Sequence, residues 1–278
     1  MDLTTKIGLG TVQFGVDYGI SNQSGMTSKL EVKYILDTAY NLSINTIDTA
    51  MAYGNAEEVI GNYELNRFKV VSKFMPSEEY GSVYFQLIES LKKLQIYKLY
   101  GYLAHRPMYL INNPKDWKEL IKLKDENKVE KIGFSLNTVE ELELLIKKDF
   151  IPDIIQVPYN YFDTRFEKSM ILLKQKGCEI HTRSTFLQGL FFMNPTHLGD
   201  FFNDIKPLLN KLQNENKFLA GALLNYVLNK DFIDKVIVGV ENTNQLKQNI
   251  SDIEKAEELE ELKINVNNEI LSPFLWRK

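Results

Sequence analysis

The stretch Ile47-Asp48-Thr49-Ala50-Met51-Ala52-Tyr53-Gly54-Asn55-Ala56-Glu57 runs from the end of an apolar strand into the start of a helix. It places an acid, Asp48, and a phenol, Tyr53, five residues apart at that junction. Lys73 and His105 each end one of the next two strand-like runs. Because the carboxyl ends of parallel strands meet at one rim of a barrel, these four side chains are expected to converge. The pattern therefore predicts proton chemistry at a barrel mouth.

The whole chain alternates short β-rich runs with longer amphipathic stretches, which is typical of βα units in a parallel sheet. Eight strands are predicted, at 6–12, 44–48, 69–74, 99–104, 131–135, 154–157, 179–183 and 235–239. Helices are predicted at 28–41, 83–94, 115–127, 138–147, 165–176 and 219–229, with a last acidic helix at 254–262. At 278 residues, the chain is predicted to form one α/β domain, a (β/α)8 TIM barrel over 1–278 with a short irregular tail from about 263.

Two of these helices carry capping residues at their starts. Thr138 is followed three residues later by Glu141, which predicts a capping box, and Ser82 is placed to cap the helix at 83–94.

The composition excludes several classes of partner. Charged residues make up 25% of the chain and sum to a formal net charge of −4 without a basic stripe, so nucleic-acid binding is not expected. No apolar run reaches the length of about 20 residues that spans a bilayer, and the N-terminus lacks the apolar stretch of a secretory signal. We therefore expect a cytoplasmic protein that binds no membrane. The oligomeric state cannot be inferred from the sequence.

The single cysteine and two of the three histidines are not expected to take part in catalysis or metal binding. Cys178 is expected to be a small buried thiol, because cysteine is among the residues most often buried. His181 lies within a strand and is expected to be packed, whereas His197 lies in a loop and is expected to be solvated. No metal site is predicted, because no Cys, His or acid stands at metal-ligand spacing from His181.

Several motifs, taken in order, resemble those of the aldo-keto reductase family over nearly the whole chain. Gly10-Thr11-Val12-Gln13-Phe14-Gly15 is similar to the first-strand signature of the family. Asp48-Thr49-Ala50, with Tyr53-Gly54 and Glu57, is similar to the second, and Ser72-Lys73 and Ala104-His105-Arg106-Pro107 complete the set. The resemblance implies a (β/α)8 barrel and a catalytic tetrad of Asp48, Tyr53, Lys73 and His105.

The chemistry of these four residue types agrees with those roles. Reduction of a carbonyl by hydride needs a proton donor, and a phenol, with an ordinary pKa of about 10, donates poorly at neutral pH unless a cation stabilises its phenolate. Lys73 can supply that cation, and Asp48 would hold the lysine charged by pairing with it. His105 would orient the carbonyl oxygen by a hydrogen bond.

The chain has no G-x-G-x-x-G motif, so a Rossmann site is not expected. The resemblance implies instead that a nicotinamide cofactor lies extended across the barrel mouth. Thr11 and Asp48 are implied contacts, and Ser135 and Gln156 match the positions that hold the carboxamide. The family usually has Asn directly after that Ser, whereas this chain has Leu136 and then Asn137.

Arg183 matches a position where many relatives stack an aromatic ring on the nicotinamide, and a planar guanidinium can stack in the same way. The alternative is an arginine paired with a nearby acid. Ser184, Phe186 and Gln188 fall where the family holds the pyrophosphate.

The segment 238–249 resembles the signature that binds the adenosine end. It includes Gly239, Asn242, Gln245 and Asn249, and the helix that begins near Asn242 would offer free N–H groups to a phosphate. We expect NADP(H) rather than NAD(H). The basic pair that many relatives use against the 2′-phosphate is absent, however, since Gly239 and Gln245 stand there and Glu241 adds negative charge, so NAD(H) remains open.

The sequence thus predicts NAD(P)H-dependent reduction of a small aldehyde or ketone, including a sugar or a nucleotide-linked sugar, with Tyr53 as the general acid. Asp17 and Tyr18, in the loop after the first strand, could bind substrate hydroxyls. Phe191-Phe192 and Phe201-Phe202 could wall a substrate pocket or fasten their loop to the barrel. The alternatives are an NAD-dependent aldose dehydrogenase and a non-catalytic cofactor-sensing regulatory subunit.

Overall fold

Eight parallel strands form a closed barrel in which each strand pairs with the next and β8 pairs with β1. The structure is a computed structural model that describes residues 3–262 and 265–276. The strands are β1 (Ile7–Gly10), β2 (Thr46–Asp48), β3 (Lys69–Phe74), β4 (Leu99–Ala104), β5 (Val129–Ser135), β6 (Ile154–Pro158), β7 (Glu179–Arg183) and β8 (Lys235–Gly239). The predicted (β/α)8 barrel is confirmed.

Helices connect the strands and cover the outside of the barrel. The α-helices are α1 (Lys29–Asn41), α2 (Ala56–Gly61), α3 (Ser77–Tyr80), α4 (Val83–Leu94), α5 (Pro114–Asp125), α6 (Val139–Lys147), α7 (Glu167–Gln175), α8 (Lys206–Glu215), α9 (Leu219–Leu228) and α10 (Thr243–Ile253). Short 3-10 helices include Leu3–Lys6, Val12–Phe14, Leu65–Arg67, Pro107–Ile111, Leu187–Phe192, Pro195–His197, Asp200–Phe202 and Pro273–Leu275. None of the helices in the described ranges is long and apolar enough to cross a membrane.

Both predicted helix caps are confirmed. The Thr138 side chain accepts from the Glu141 N–H at 3.3 Å, and the Glu141 carboxylate accepts from the Thr138 N–H at 3.2 Å. Ser82 Oγ accepts from the Phe85 N–H at 3.2 Å at the start of α4. These bonds satisfy N–H groups that a helix start leaves without partners.

The prediction of an acidic helix at 254–262 is wrong. The last helix, α10, ends at Ile253, and after a turn at Glu254 and Lys255 residues 256–262 are irregular. The segment 257–261 carries four glutamates, and like charges three or four residues apart repel along a helix face. Leu259 and Leu262 instead pack against the core under the β7 loop. Lys263 and Ile264, where the irregular tail was predicted to begin, lie outside the described residues.

A small hydrophobic cluster contains Val71, Leu103 and Ile154, and two bigger clusters organise the rest of the interior in the described residues. The larger of these two joins the barrel strands to the surrounding helices, and the other lies under the long segment after β7. Phe191 and Phe202 are buried in this second cluster and fasten the segment to the barrel. Phe192 is 44% exposed and lines the central cavity. Phe191 therefore fastens its loop to the barrel, whereas Phe192 forms part of a cavity wall.

A polar cluster crosses the amino-terminal end of the barrel. Tyr100 on β4 donates to Glu179 on β7 at 2.6 Å, although β4 and β7 are not neighbouring strands. Lys131 also pairs with Glu179, and His181 Nε2 lies 2.7 Å from the second oxygen of that carboxylate. His181 is fully buried, as predicted for a packed histidine. The cluster closes the end of the barrel opposite the predicted site.

Cys178 precedes β7 and is buried, as predicted. Burial, with Asp153 and Asp234 nearby, raises the pKa of the thiol to about 12. The thiol therefore stays protonated at neutral pH and is a poor nucleophile.

Candidate active site

Two loops pack tightly to position the Tyr53 side chain at the carboxyl ends of the strands. A Cβ added to Gly15 would lie 1.9 Å from the Tyr53 carbonyl oxygen, and one added to Gly54 would lie 2.3 Å from the Gly15 carbonyl oxygen. Gly54 also has a φ of +57°, which side chains rarely adopt. The loop after β2 is thus locked against the loop after β1, and glycine is required on both sides.

Backbone hydrogen bonds continue the sheet past the strand ends and hold the other predicted catalytic residues in register. The Met51 N–H donates to the Lys73 carbonyl at 3.1 Å, and the His105 N–H donates to the Phe74 carbonyl at 2.9 Å. Next to Lys73, Ser72 donates to the buried Glu57 carboxylate at 2.6 Å. Because Glu57 belongs to α2, this bond ties the helix after Tyr53 to the strand that carries Lys73.

The Lys73 ammonium is the centre of the cluster. Its Nζ donates to Asp48 Oδ2 at 2.7 Å and to the Thr49 carbonyl at 2.9 Å, and lies 3.4 Å from the Tyr53 hydroxyl. Lys73 is fully buried, beneath Asp48 and Tyr53. The His105 ring stands nearly perpendicular to the Tyr53 ring, with 5.7 Å between the ring centroids. The structure therefore brings all four predicted catalytic residues together.

The electrostatics of the cluster keep Lys73 charged and His105 neutral. Burial lowers the pKa of Lys73, but the Asp48 carboxylate and the Tyr53 oxygen outweigh it, so the pKa is raised overall. Burial, with the nearby cations Lys73, Arg183 and Arg106, lowers the pKa of His105 to about 3. A neutral imidazole has one N–H to donate and one nitrogen to accept with.

An open cavity lies above the cluster. The predicted site residues that line it are Thr11, Asp48, Tyr53, Gln156, Arg183, Ser184, Phe186, Gln188, Gly239 and Gln245. Lys73, His105, Ser135, Asn242 and Asn249 are not among its lining residues. The cavity extends from Tyr53, past the segment after β7, to the residues just before and within the first turn of α10.

At the Tyr53 end of the cavity, the residues fit a nicotinamide carboxamide. Gln156 donates its amide to Asp48 Oδ1 at 2.7 Å, and its Oε1 is buried without a hydrogen-bond partner. A primary amide of a ligand could donate to that oxygen, and the cost of leaving it unpaired would then be removed. Ser135 pairs with Gln156 in the β5–β6 ladder but is buried beside the cavity rather than on its wall.

Arg183 is anchored by oxygens from the segment after β5. Its guanidinium donates to the Leu136 carbonyl at 2.9 Å and to the Asn137 side-chain oxygen at 2.7 Å. Within the described ranges it has no salt bridge to an acid. Arg183 is therefore held by neutral oxygens, and the alternative of an arginine paired with an acid is not observed in the described residues. The asparagine that follows Leu136 serves to hold Arg183.

The loops after β1 and β7 are joined across the cavity, and we call this junction the clasp. The Ile20 N–H donates to the Gln188 carbonyl at 3.0 Å, and the Gln188 side-chain amide donates to the Tyr18 hydroxyl at 2.9 Å. A Cβ added to Gly189 would lie 1.8 Å from Ser21 Oγ. Tyr18, one of the two predicted hydroxyl-binding residues, lines the cavity, whereas Asp17 is exposed and does not.

At the start of α10, protein groups already occupy the N–H groups that were expected to bind a phosphate. The Glu31 carboxylate accepts from the Thr243 N–H at 2.6 Å, and this bond lowers the pKa of Glu31. The Asn242 side chain accepts from the Gln245 N–H at 2.9 Å. Asn242 is therefore a helix cap, and Asn249 is buried within α10 with its amide nitrogen unpartnered.

Sequence reasoning missed three residues around this cavity. Gln13 lies in the first motif, and a Cβ placed on Gly239 would lie 2.7 Å from the end of its side chain, which would have to move. Asn137 was noted as a displaced asparagine, but its bond to Arg183 spans 46 residues and left no local signal. Glu31 looked like an ordinary first-turn acid of α1, and only the packing of α1 against α10 reveals its role.

The comparisons with known proteins agree with this architecture. A model of the Aldo/keto reductase family matches residues 6–269. A methylglyoxal reductase of Escherichia coli is 29% identical over 133 residues, covering 46% of this chain and 48% of that protein. The chain thus spans about half the length of the curated methylglyoxal reductases it matches.

Solved structures resemble the whole barrel. An aldo-keto reductase from Bacillus halodurans, in its holo form, superposes with a TM-score of 0.71 at 20% identity, covering 92% of this chain and 88% of that one. An aldo/keto reductase from Klebsiella pneumoniae, in complex with NADP and acetate, gives a TM-score of 0.63 at 20% identity, covering 96% and 89%. The barrel and the near-complete family match define the class. This chain belongs to the aldo/keto reductase family, a family of oxidoreductases.

Proposed function

We propose that this chain reduces the carbonyl group of an aldehyde or ketone with NAD(P)H, and that Tyr53 is the general acid. The contact that carries the proposal is the Lys73 ammonium, 2.7 Å from Asp48 and 3.4 Å from the Tyr53 hydroxyl, beside an open cavity that Asp48 and Tyr53 line. The bound reduced nicotinamide would supply the hydride. Tyr53 would donate its proton to the carbonyl oxygen, and Lys73 would stabilise the resulting phenolate.

The remaining residues would bind and orient. Asp48 would hold Lys73 charged inside the barrel, where an unpaired lysine would lose its proton. Neutral His105 would donate its N–H to the carbonyl oxygen. Gln156 would accept from the carboxamide, and Arg183 would present its guanidinium plane to the nicotinamide ring. Ser184, Phe186 and Gln188 would hold the pyrophosphate beneath the clasp.

We further propose a small polar carbonyl compound, including sugars, as the substrate class. Two observations support this choice. Tyr18 presents a hydroxyl on the cavity wall, which the apolar ring of Phe192 also lines. The partial relative named as a methylglyoxal reductase is named for a small polar aldehyde. Oxidation of an alcohol would use the same residues in reverse, with the Tyr53 phenolate as base.

The test is the turnover of Tyr53→Phe. Loss of a general acid should lower kcat by about 10² to 10⁴, while the affinity for the coenzyme stays within about a factor of two. Both coenzymes should be assayed in both directions, with an aldose, methylglyoxal and an apolar ketone as substrates. Tyr97→Phe, at a 98% exposed tyrosine, is the matched control.

A Tyr53→Phe variant that retained more than about a tenth of the wild-type turnover would refute the assignment of the proton donor. Wild-type protein that bound NAD(P)H but turned over none of these compounds would favour the cofactor-sensing regulatory subunit. A clear preference for the apolar ketone would reject the polar substrate class and leave the reductase assignment standing.

A further inference from the structure

The charges at the two ends of the cavity differ. Arg183 is the one lysine or arginine among the described residues that line it, and it lies at the end near Tyr53. The opposite end, at the start of α10, is lined by Glu241 and Gln245. If the nicotinamide must lie beside Tyr53 to pass its hydride, the adenosine must lie at the Glu241 end.

Two carboxylates lie near the start of α10, at the end of the cavity away from Tyr53. Glu241 lies two residues before α10, and burial raises its pKa without a neighbouring cation to offset the effect. Glu31 reaches from α1 to cap the Thr243 N–H at 2.6 Å. That N–H is one of the donors that an anion at the start of α10 would need, and the protein fills it with its own carboxylate.

The backbone and side chains between these acids are also engaged. The Glu241 N–H donates to the side-chain oxygen of Gln245 at 2.7 Å, and the Glu241 carbonyl accepts from the Thr27 hydroxyl at 3.2 Å. These bonds fix the backbone of Glu241 beside the cavity that this residue lines. Lys247 is exposed and does not line the cavity.

We infer that Glu241, assisted by Glu31, selects NAD(H) over NADP(H) at the adenosine end of the cavity. This inference rests on the proposed function and departs from the NADP(H) expectation drawn from the family resemblance. A carboxylate accepts hydrogen bonds from the 2′- and 3′-hydroxyls of an unphosphorylated ribose, as acids do in other dinucleotide sites. The same carboxylate repels a 2′-phosphate, so the discrimination comes from an unfavourable contact as well as a favourable one.

The experiment measures dissociation constants for NADH and NADPH by coenzyme fluorescence, in wild type, Glu241→Gln, Glu241→Arg and Glu31→Gln. Wild type should bind NADH at least about tenfold more tightly than NADPH. Glu241→Gln should reduce this preference for NADH over NADPH by about tenfold, and Glu241→Arg should bind NADPH more tightly than NADH. Glu31→Gln keeps an oxygen to accept from Thr243, so it should shift the preference in the same direction without unfolding the start of α10.

Salt gives a second readout, because repulsion between charges is screened by ions. In wild type, the NADPH dissociation constant divided by that of NADH should decrease as salt is raised. In Glu241→Gln this ratio should change less with salt. The control is Glu143→Gln, at an exposed glutamate of α6.

A wild-type preference for NADPH, or a ratio unchanged in both Glu241→Gln and Glu31→Gln, would overturn the inference while leaving the reductase function intact. If wild type bound neither coenzyme, the proposed function itself would fail.

Discussion

His105 shows how the surroundings of one residue decide what it can do. Its imidazole is held among Lys73, Arg183 and Arg106, and burial with these cations lowers its pKa to about 3. A charged imidazolium beside Lys73 would be repelled by the lysine ammonium. The neutral form can only donate or accept a hydrogen bond. We therefore assign His105 to orientation of the substrate and not to proton supply.

This depressed pKa predicts how stability depends on pH. Between pH 6.5 and about 3, the unfolded chain binds a proton at His105 that the folded chain does not, so stability falls as the pH falls through this window. His105→Gln should therefore reduce the slope of unfolding free energy against pH by up to about 1.4 kcal/mol per pH unit. Urea titrations from pH 7 to pH 4 measure the slope. His197→Gln, at an exposed site, is the control. A slope that is the same in wild type and His105→Gln would contradict the prediction.

The individual residues of the site differ in how visible they were in the sequence. All four predicted catalytic residues lie at or near the carboxyl end of a strand, and the barrel topology alone was enough to bring them together. They are Asp48, Tyr53, Lys73 and His105. Asn242 was expected to face the cofactor, but its short side chain caps α10 instead. Nothing local distinguishes those two uses of an asparagine at a helix start. The functional roles of all these residues remain predictions.

At the scale of elements, strands were predicted better than the segments between them. The bounds of β3, β4, β7 and β8 agree with the sequence prediction. Of these strands, β8 contains the continuous apolar run, at 236–238, that is typical of a buried parallel strand. The helix predicted at 254–262 does not form, because its glutamates would repel one another along a helix face. The segment 184–192 could not be predicted, since Ser184, Leu187 and Gln188 adopt positive φ angles that only tertiary contacts hold.

The clasp is the element whose disruption should be easiest to detect. Gly189 has a φ of +89° and no room for a Cβ against Ser21, so Gly189→Ala should separate the two loops. Coenzyme dissociation should then be faster by at least about threefold, since contact losses act mainly on the dissociation rate. Stopped-flow displacement measures this rate. Gly199→Ala, where a Cβ meets nothing within 4 Å, is the control. Equal rates in wild type and Gly189→Ala would show that the clasp does not retain the coenzyme.

At the scale of the whole molecule, the closed barrel makes Cys178 a reporter of global unfolding. The chain has one cysteine, buried at the start of β7, with a thiol pKa raised to about 12. A thiol reagent at pH 8 should modify native protein at least about 100-fold more slowly than urea-unfolded protein. The rate should rise with urea in parallel with the loss of circular dichroism. Rapid modification without denaturant would mean that the end of the barrel near Cys178 opens locally.

The sealed amino-terminal end of the barrel has a consequence for the supply of protons. Tyr100, Lys131, Glu179 and His181 fill that end, and Val71 and Leu103 lie two residues before Lys73 and His105 on their strands, fully buried. This apolar layer lies between Lys73 and the polar cluster at that end. If Tyr53 is the general acid, as we propose, each reduction would consume its proton, and the proton would be restored from the open mouth. Reprotonation would then follow the departure of product, which would couple it to the exchange of ligands.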